Sequence, residues 1–316
     1  MRPPALATLL LLAAATVLVG GTGAAACEPR HVEHLGMACR QPDGMWEVVL
    51  PDGLRLTTHG PDPYLDPALD AFAAFEELRD PVCVTQQQHV MHVLYGHTGN
   101  DRTAAVVPEI RDHVRRMNAL LALEARESGG VLADYRVLCG ADGSIVVDAF
   151  RGPSTGGAYT SEYDAIVSAA CAAGFTQPAV DYLIFYDASS SVCGVANLAR
   201  DSRLSANNRN VVETGYGIVY EGCWTGRTPM HENAHNQGAV QDLAPDWDLT
   251  GHCLEGRDVM CYPTSSILVL CGDRIRFDCD NDTYFDAAPE PGEWLATNWN
   301  IGSRVNPFLA FRDIEP

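Results

Sequence analysis

The chain has 316 residues, a formal net charge of −20 at pH 7 and 21 basic residues, all of which are arginine. A protein this acidic, without a run of basic residues, is not expected to bind nucleic acid through its net field. The chain is long enough to bury a sizeable core in one large or two smaller domains.

Residues 1–26 have the pattern of a secretory signal peptide, with an apolar run at 6–19 followed by Ala24-Ala25-Ala26. The run is too short and too rich in alanine for a membrane span, and no later stretch is expected to cross a bilayer. Removing it leaves a net charge of −21, which is −20 less the one arginine of the signal. We expect a secreted, extracellular protein. A lipid anchor on Cys27 is the alternative, although a lipobox has leucine where Ala24 stands.

Eleven cysteines in an exported chain predict a disulfide framework. Their spacing favours Cys253–Cys261 and Cys271–Cys279, followed by Cys193–Cys223 and Cys139–Cys171. Because the number is odd, one cysteine is expected to be free or lipidated.

Residues 27–80 are predicted to form a small N-terminal region or a propeptide. A hairpin is expected at 46–56, a proline-rich break at 60–67 and a short helix at 67–78. Three histidines of this region, His31, His34 and His59, lack the spacing of metal ligands. We interpret them as solvated polar residues.

Residues 81–316 are predicted to form one layered domain. The expected elements are a strand at 89–95, a helix at 106–127 ended by Gly129-Gly130, strands at 135–138 and 144–147, a helix at 161–173, a buried strand at 182–186, an edge strand near 211–220 and a helix at 229–240. This order indicates an α+β fold with α/β layering around a mixed, twisted sheet.

The last predicted helix carries the pattern H-E-x-x-H in His231, Glu232 and His235. Histidines four residues apart on a helix lie on one face, about one turn apart, and can bind one zinc ion together. Glu232 is then placed to act as general base on a water molecule at the metal. Gly238 follows where the chain must leave the helix, which needs a permissive backbone.

Several stretches resemble the metzincin-type zinc metallopeptidases and, more closely, a family of secreted bacterial proteins of metallopeptidase-like sequence. The resembling stretches are 231–241, 251–253, 258–262, 277–285 and 294–300, and the likeness covers roughly residues 81–316. The resemblance implies a metzincin-like catalytic domain with an active-site helix, a Met-turn at Met260, zinc and peptide-bond hydrolysis. Met260 is expected to pack beneath the metal.

The third zinc ligand departs from the metzincin pattern, because Gln241 stands where those proteins place a histidine. A neutral amide is a poor zinc ligand. His252, between the helix and the Met-turn, is our preferred replacement. The alternatives are Asp242, Asp246 or Asp248, Gln241 itself, or no third ligand at all.

Two further side-chain roles stay open in the sequence. Tyr262 lies two residues after Met260, as does an extra tyrosine ligand in some metzincins, so it either stabilises an oxyanion or packs in the core. Asp278, Asp280 and Asp282, with the Tyr284 carbonyl, have the spacing of the first half of a calcium loop. The glycine and the closing glutamate of such a loop are missing, so an acidic turn braced by a disulfide is the alternative.

The preferred function is a secreted zinc endopeptidase acting on a protein or peptide substrate. The alternative is a catalytically inactive protein of the same fold that binds a protein or carbohydrate partner at the cell surface.

Overall fold

The computed structural model of the chain describes residues 28–32, 34–42, 44–63, 77–154, 163–224, 227–255, 257–261 and 274–314. Some sequence predictions fall outside these residues: the signal segment, Cys27, the predicted helix up to residue 76, Tyr262 and Cys271. They stay predictions, as does the division of the chain at residue 80.

A small antiparallel sheet comes first and has four strands in the described part of the chain: β1 (Arg30–Val32), β2 (Gly36–Arg40), β3 (Trp46–Val49) and β4 (Arg55–Thr58). Strands β3 and β4 are the predicted hairpin, with Trp46 opposite Thr58. Gly53 in its turn has a φ of +88°, a conformation that glycine adopts without a steric cost.

The larger sheet has nine described strands: β5 (Asp62–Pro63), β6 (Val82–Val84), β7 (Val90–His97), β8 (Val131–Leu138), β9 (Val147–Arg151), β10 (Val180–Asp187), β11 (Val192–Ala196), β12 (Gly215–Tyr220) and β13 (Leu309–Asp313). Its order is β13-β8-β7-β10-β12-β11-β5, while β6 also pairs with β8 and β9 with β7. The central strands β7, β10 and β12 are parallel, whereas β11 and β5 run antiparallel to their neighbours. The predicted mixed sheet is confirmed.

Helices cover both faces of this sheet: α1 (Thr103–Gly129), α2 (Tyr163–Ala172), the short α3 (Arg209–Val212) and α4 (Thr228–Asn236), with a 3₁₀ turn at Trp294–Ala296. Successive side chains of a strand face opposite sides. Accordingly, Met91, Val93 and Tyr95 of β7 share a core with α1 and α4. Val90 and Leu94 share a second core with α2 and the small sheet. The α+β layered fold is therefore confirmed.

Three predicted elements differ from the structure. The strand predicted at 144–147 is displaced toward the C-terminus, since β9 covers Val147–Arg151. The segment predicted as an edge strand near 211–220 divides into α3 and β12, and β12 lies inside the sheet between β10 and β11. The edge prediction fails because the short strand β11 at 192–196, missed in the sequence, pairs outside it. Helix α4 also ends at Asn236 rather than at residue 240.

Disulfides tie the sheet to its loops. Cys193–Cys223 and Cys253–Cys261 form as predicted. The predicted Cys139–Cys171 bond is wrong, because Cys139 bonds Cys83, which follows the parallel pairing of β6 with β8. Cys171 is the free cysteine among the described residues, and Cys39 and Cys279 are also disulfide-bonded. None of the helices in the described ranges is long and apolar enough to span a membrane.

Candidate metal centre

Helix α4 carries the two motif histidines and is buried along its whole length. Pro229 stands in its first turn, where a missing N–H leaves no hydrogen bond unmade. Gly238, just after the helix, has a φ of +85°, and a side chain there would meet the Trp299 indole at 2.7 Å. The same indole donates a hydrogen bond to the Gln237 carbonyl at 2.7 Å. These contacts fix the end of the helix and with it the direction of both histidines.

Three imidazole nitrogens meet at one buried point. His235 Nε2 lies 3.0 Å from His231 Nε2 and 3.3 Å from His252 Nε2. The three residues are at most 5% exposed. With zinc–nitrogen bonds of about 2.0–2.1 Å, tetrahedral geometry separates two ligand nitrogens by about 3.3 Å. The spacing of the three rings therefore fits a shared metal ion.

His231 and His252 are the two outer rings of this group, and the Nδ1 atom of each contacts another group of the protein. His231 Nδ1 lies 2.8 Å from the Val259 carbonyl, to which it donates, so its Nε2 lone pair is left for a metal. His252 Nδ1 lies 3.1 Å from Thr250 Oγ1. Because Val259 directly precedes the fully buried Met260, the turn predicted as a Met-turn contacts the helix through this carbonyl.

Burial keeps these rings in the form that binds metal. It lowers the pKa of His231, and lowers the pKa of His235 well below its usual value. Both imidazoles are therefore neutral at neutral pH, as a metal ligand must be.

Gln241 has a structural role in this fold. Its amide nitrogen donates to the carbonyls of Ala199 and Gly238 at 3.0 and 3.1 Å, and its oxygen accepts from the Asp201 N–H at 2.8 Å. With every polar atom bonded to backbone, the side chain braces the loop after α4. The adjacent Asp242 forms an ion pair with Arg200.

Neither of the other two aspartates lies among the three imidazole nitrogens. Asp248 lies behind His252, where Oδ1 accepts from the His252 N–H at 3.1 Å and Oδ2 lies 3.9 Å from Nδ1. Asp248 also accepts from the Thr250 hydroxyl at 2.8 Å, so it orients the pair. Asp246 is exposed, and its charge acts on Glu255 and Asp282 of a separate acidic cluster.

His59 and Asp62 reach the same point from the N-terminal region, and the sequence did not indicate this. Asp62 Oδ2 lies 2.8 Å from His231 Nε2, and Asp62 Oδ1 lies 3.3 Å from His252 Nε2. His59 stacks on His235 with ring centroids 3.8 Å apart. The expectation that His59 is solvated is wrong: it is 6% exposed, and burial lowers its pKa to about 4.

The expectation of solvation also fails for His34, which is 7% exposed and lies 2.7 Å from Ser191 Oγ. The sequence signal that could have indicated these two residues is the spacing His59-x-x-Asp62. It involves two residues only, so by itself it identifies no site.

The chain around His59 and Asp62 runs along the edge of β11. Asp62 stands opposite Gly194 in antiparallel pairing, and the Leu198 N–H donates to the Thr57 carbonyl at 2.8 Å. The Ala196 N–H donates to His59 Nε2 at 3.0 Å, so the proton of His59 is on Nδ1, 3.4 Å from Asp62 Oδ1. Residues 57–63 therefore pair with the backbone hydrogen-bonding groups along this edge of β11.

Glu232 is fully buried beside the histidines, and its Oε2 lies 3.5 Å from His59 Nε2. Burial, and then the neighbouring Asp62 carboxylate, raises the pKa of Glu232 well above its usual value. Gly194 makes room for this side chain, since a Cβ at that position would lie 2.0 Å from Glu232 Oε1.

The aspartates of the predicted calcium loop lie together, away from the histidines. Single oxygens of Asp278, Asp280 and Asp282 lie within 4.8 Å of one another. Burial, with a smaller contribution from neighbouring carboxylates, raises the pKa of Asp278 to about 8 and that of Asp282 to about 6. The Tyr284 carbonyl accepts from the Ile301 N–H at 2.9 Å, so it is already bonded within the fold.

Comparisons with known proteins are sparse. No model of a protein family matches the chain, and no curated protein does. Among solved structures, wild-type OgpA from Akkermansia muciniphila matches in two crystal forms. In the first the identity is 11% over 67% of this chain and 68% of that one, with a TM-score of 0.34. In the second it is 10% over 60% of each chain, again with a TM-score of 0.34.

Proposed function

We propose that this protein is a secreted zinc-dependent endopeptidase of metzincin type whose metal ligands are His231, His235 and His252. The observation that carries the proposal is the convergence of these three buried Nε2 atoms, with a Glu232 carboxylate oxygen within 4.8 Å of a ring nitrogen of His231. Three nitrogen ligands, with a fourth position that water or substrate can take once Asp62 leaves it, are typical of catalytic rather than structural zinc. A module that only binds a partner has no need of an acid buried beside such a set.

Each side chain has a defined task in peptide hydrolysis. When bound, zinc supplies a Lewis acid that polarises a carbonyl oxygen and lowers the pKa of water. Displacement of Asp62 removes one cause of the raised pKa of Glu232, and the ionised carboxylate then takes the proton from the attacking water and returns it to the leaving amine. Val259, Thr250 and Asp248 hold the outer imidazoles in the orientation that keeps their Nε2 atoms directed inward.

The edge of β11 is where we place the peptide substrate. An extended peptide can add to an exposed sheet edge through backbone hydrogen bonds. Residues 57–63 now occupy this edge, antiparallel to β11, with Asp62 against His231 and His252. A substrate bound in their place would bring a peptide bond next to Glu232.

The same contacts make residues 27–80 an inhibitory propeptide in our proposal. Asp62 takes the position that substrate or water needs, and the histidines and Glu232 are buried beneath it. The mature enzyme then requires displacement or cleavage of this region. We place the cleavage between Pro63 and Glu77.

Metal analysis combined with a peptidase assay tests the proposal. Protein purified without chelators is expected to contain about one zinc per chain. After limited proteolysis that separates residues 27–63 from the rest, it should cleave an unfolded protein substrate such as casein. Glu232→Ala should keep the zinc and lose the cleavage, because the histidines remain while the base is gone.

Zinc-free wild-type protein would reject the metal assignment. Cleavage by Glu232→Ala at the wild-type rate would reject Glu232 as the base. Zinc-loaded, processed protein that cleaves no peptide bond in a broad peptide library would favour the inactive, partner-binding alternative.

A further inference from the structure

A second cluster of acidic side chains lies behind the turn that carries Met260. Carboxylate oxygens of Glu255, Asp258 and Asp278 lie within 4.8 Å of one another, and Asp278 also belongs to the group it forms with Asp280 and Asp282. Glu255 comes from the loop closed by the Cys253–Cys261 disulfide. The cluster therefore joins two loops that are about 20 residues apart in sequence.

Three buried oxygens of this cluster have no hydrogen-bond partner among the described residues. Both carboxylate oxygens of Glu255, which is 3% exposed, are in this state, and so is Asp278 Oδ1. The other oxygen of Asp278 accepts from the Tyr284 and Phe285 N–H groups, both at 2.6 Å. That pair of bonds fixes the Asp278 carboxylate with its free oxygen directed away from the backbone.

Asp258 differs from its neighbours because its oxygens are already bonded. Oδ1 accepts from the Met260 N–H at 2.6 Å and from the Tyr284 hydroxyl at 2.8 Å, and Oδ2 accepts from the Cys279 N–H at 2.9 Å. It holds the turn in shape. The nearby guanidinium of Arg276 forms an ion pair with Glu124 at 2.7 Å.

Buried carboxylate oxygens without donors are costly unless a cation binds them. We propose that Glu255, Asp278, Asp280 and Asp282 bind one calcium ion. The donors are all oxygen, in an irregular arrangement with two ligands near solvent, which suits the flexible coordination of six to eight oxygens by Ca²⁺. Zinc favours nitrogen and sulfur, and magnesium demands a near-ideal octahedron.

The calcium site has a structural consequence for the Met-turn. The ion would connect the loop that carries Glu255 to the segment 278–282. Asp258 lies between these two parts of the chain. Through Asp258 this brace reaches Met260, and the adjacent Val259 carbonyl holds His231. Calcium binding itself does not depend on whether the histidine centre is catalytic.

The test uses the full chain, with zinc loaded and residual calcium removed on a chelating resin. Calorimetric titration with CaCl₂ should show one site with a Kd of about 10⁻³ M or tighter. Thermal unfolding should shift to a higher Tm in CaCl₂ than in an equal concentration of MgCl₂. Glu255→Gln and Asp280→Asn should each weaken calcium binding about tenfold or more.

A matched control variant and the Tm measured without calcium show whether Glu255 is a calcium ligand or only a structural residue. Glu290→Gln, at an exposed acid of the same C-terminal segment, should bind calcium like the wild type. Without calcium, Glu255→Gln should have a Tm equal to or above that of the wild type, because one buried negative charge is gone. No calcium binding by the wild type, an equal response to magnesium, or unchanged affinity in both cluster variants would overturn the proposal.

Discussion

The Asp62 carboxylate of the N-terminal region lies 2.8 Å from Nε2 of His231, the first histidine of the α4 motif. The two residues are 169 positions apart in sequence, and both are nearly excluded from solvent. Because the contact is made by the ring nitrogen that we propose as a metal ligand, Asp62 would compete with a metal or a substrate for this position. In our proposal, the position of the N-terminal region therefore decides whether the centre can accept a substrate.

Replacing Asp62 is expected to release the centre. Asp62→Ala in the full chain should raise peptidase activity about tenfold or more, since about 1.4 kcal/mol of lost inhibitory contact has that effect on an equilibrium. Asp52→Ala, at an exposed turn of the same region, is the matched control and should leave the peptidase activity of the full chain as low as in the wild type. Initial rates on a quenched fluorescent peptide measure both. If Asp62→Ala has the same peptidase activity as the control, the inhibitory role of Asp62 is rejected.

The choice between His252 and Gln241 as third ligand can be decided by zinc affinity. His252→Ala should lose about 100-fold or more in affinity, because loss of a ligand exceeds the effect of its supporting residues. Gln241→Ala should keep its zinc but lose about 1–3 kcal/mol of stability, because the Asp201 N–H loses its acceptor. Competition with a chromogenic chelator and thermal unfolding separate the two effects. Equal zinc affinities in the two variants would contradict the assignment.

The space beside Gly194 should matter for Glu232 more than for the metal. Gly194→Ala places a Cβ 2.0 Å from Glu232 Oε1, whereas Gly217→Ala places one 3.1 Å from Glu232 Cβ. The first change should displace the carboxylate and lower kcat at least tenfold, with an overpacking cost of about 1–3 kcal/mol. The second should have a smaller effect, and both proteins should keep zinc. Equal kcat values in Gly194→Ala and the wild type would show that Glu232 tolerates displacement.

Acid stability is predicted to depend on Asp134, far from the centre. Burial alone would raise the pKa of Asp134, but hydrogen bonds from Arg79, Arg312 and Asn118 outweigh burial and lower it below its usual value. A lowered pKa contributes stability that is complete above the unfolded-state pKa of about 3.9 and is lost as the pH falls through the folded-state pKa.

Asp134→Asn should therefore cost about 1–3 kcal/mol at pH 7, and the difference from the wild type should shrink below about pH 4. Denaturant unfolding from pH 2 to 7 measures it. Asp313→Asn, whose side chain is 81% exposed, is the control and should change little. If the loss of unfolding free energy in Asp134→Asn stays constant down to pH 2, the carboxylate charge is not the source of that loss.

The sequence by itself determined the parts of the site that lie within one element. His231, Glu232 and His235 share a helix, and a period of 3.6 residues is enough to place them on one face. The hairpin of β3 and β4 and the end of α1 near Gly130 were likewise predictable, because turn glycines and periodicity are local signals.

Only the tertiary structure decided which distant residues complete the histidine centre and the acidic cluster of Glu255 and Asp278. His252 was the preferred prediction among several residues of one loop, and the folding of that loop brings its Nε2 to 3.3 Å from His235 Nε2. His59, Asp62 and Glu255 gave no usable signal. Their positions depend on an edge-strand pairing with β11 and on a disulfide-closed loop, neither of which leaves a periodic pattern in the chain. Local sequence encodes the face of a helix, whereas the meeting of separate loops depends on how the whole core packs.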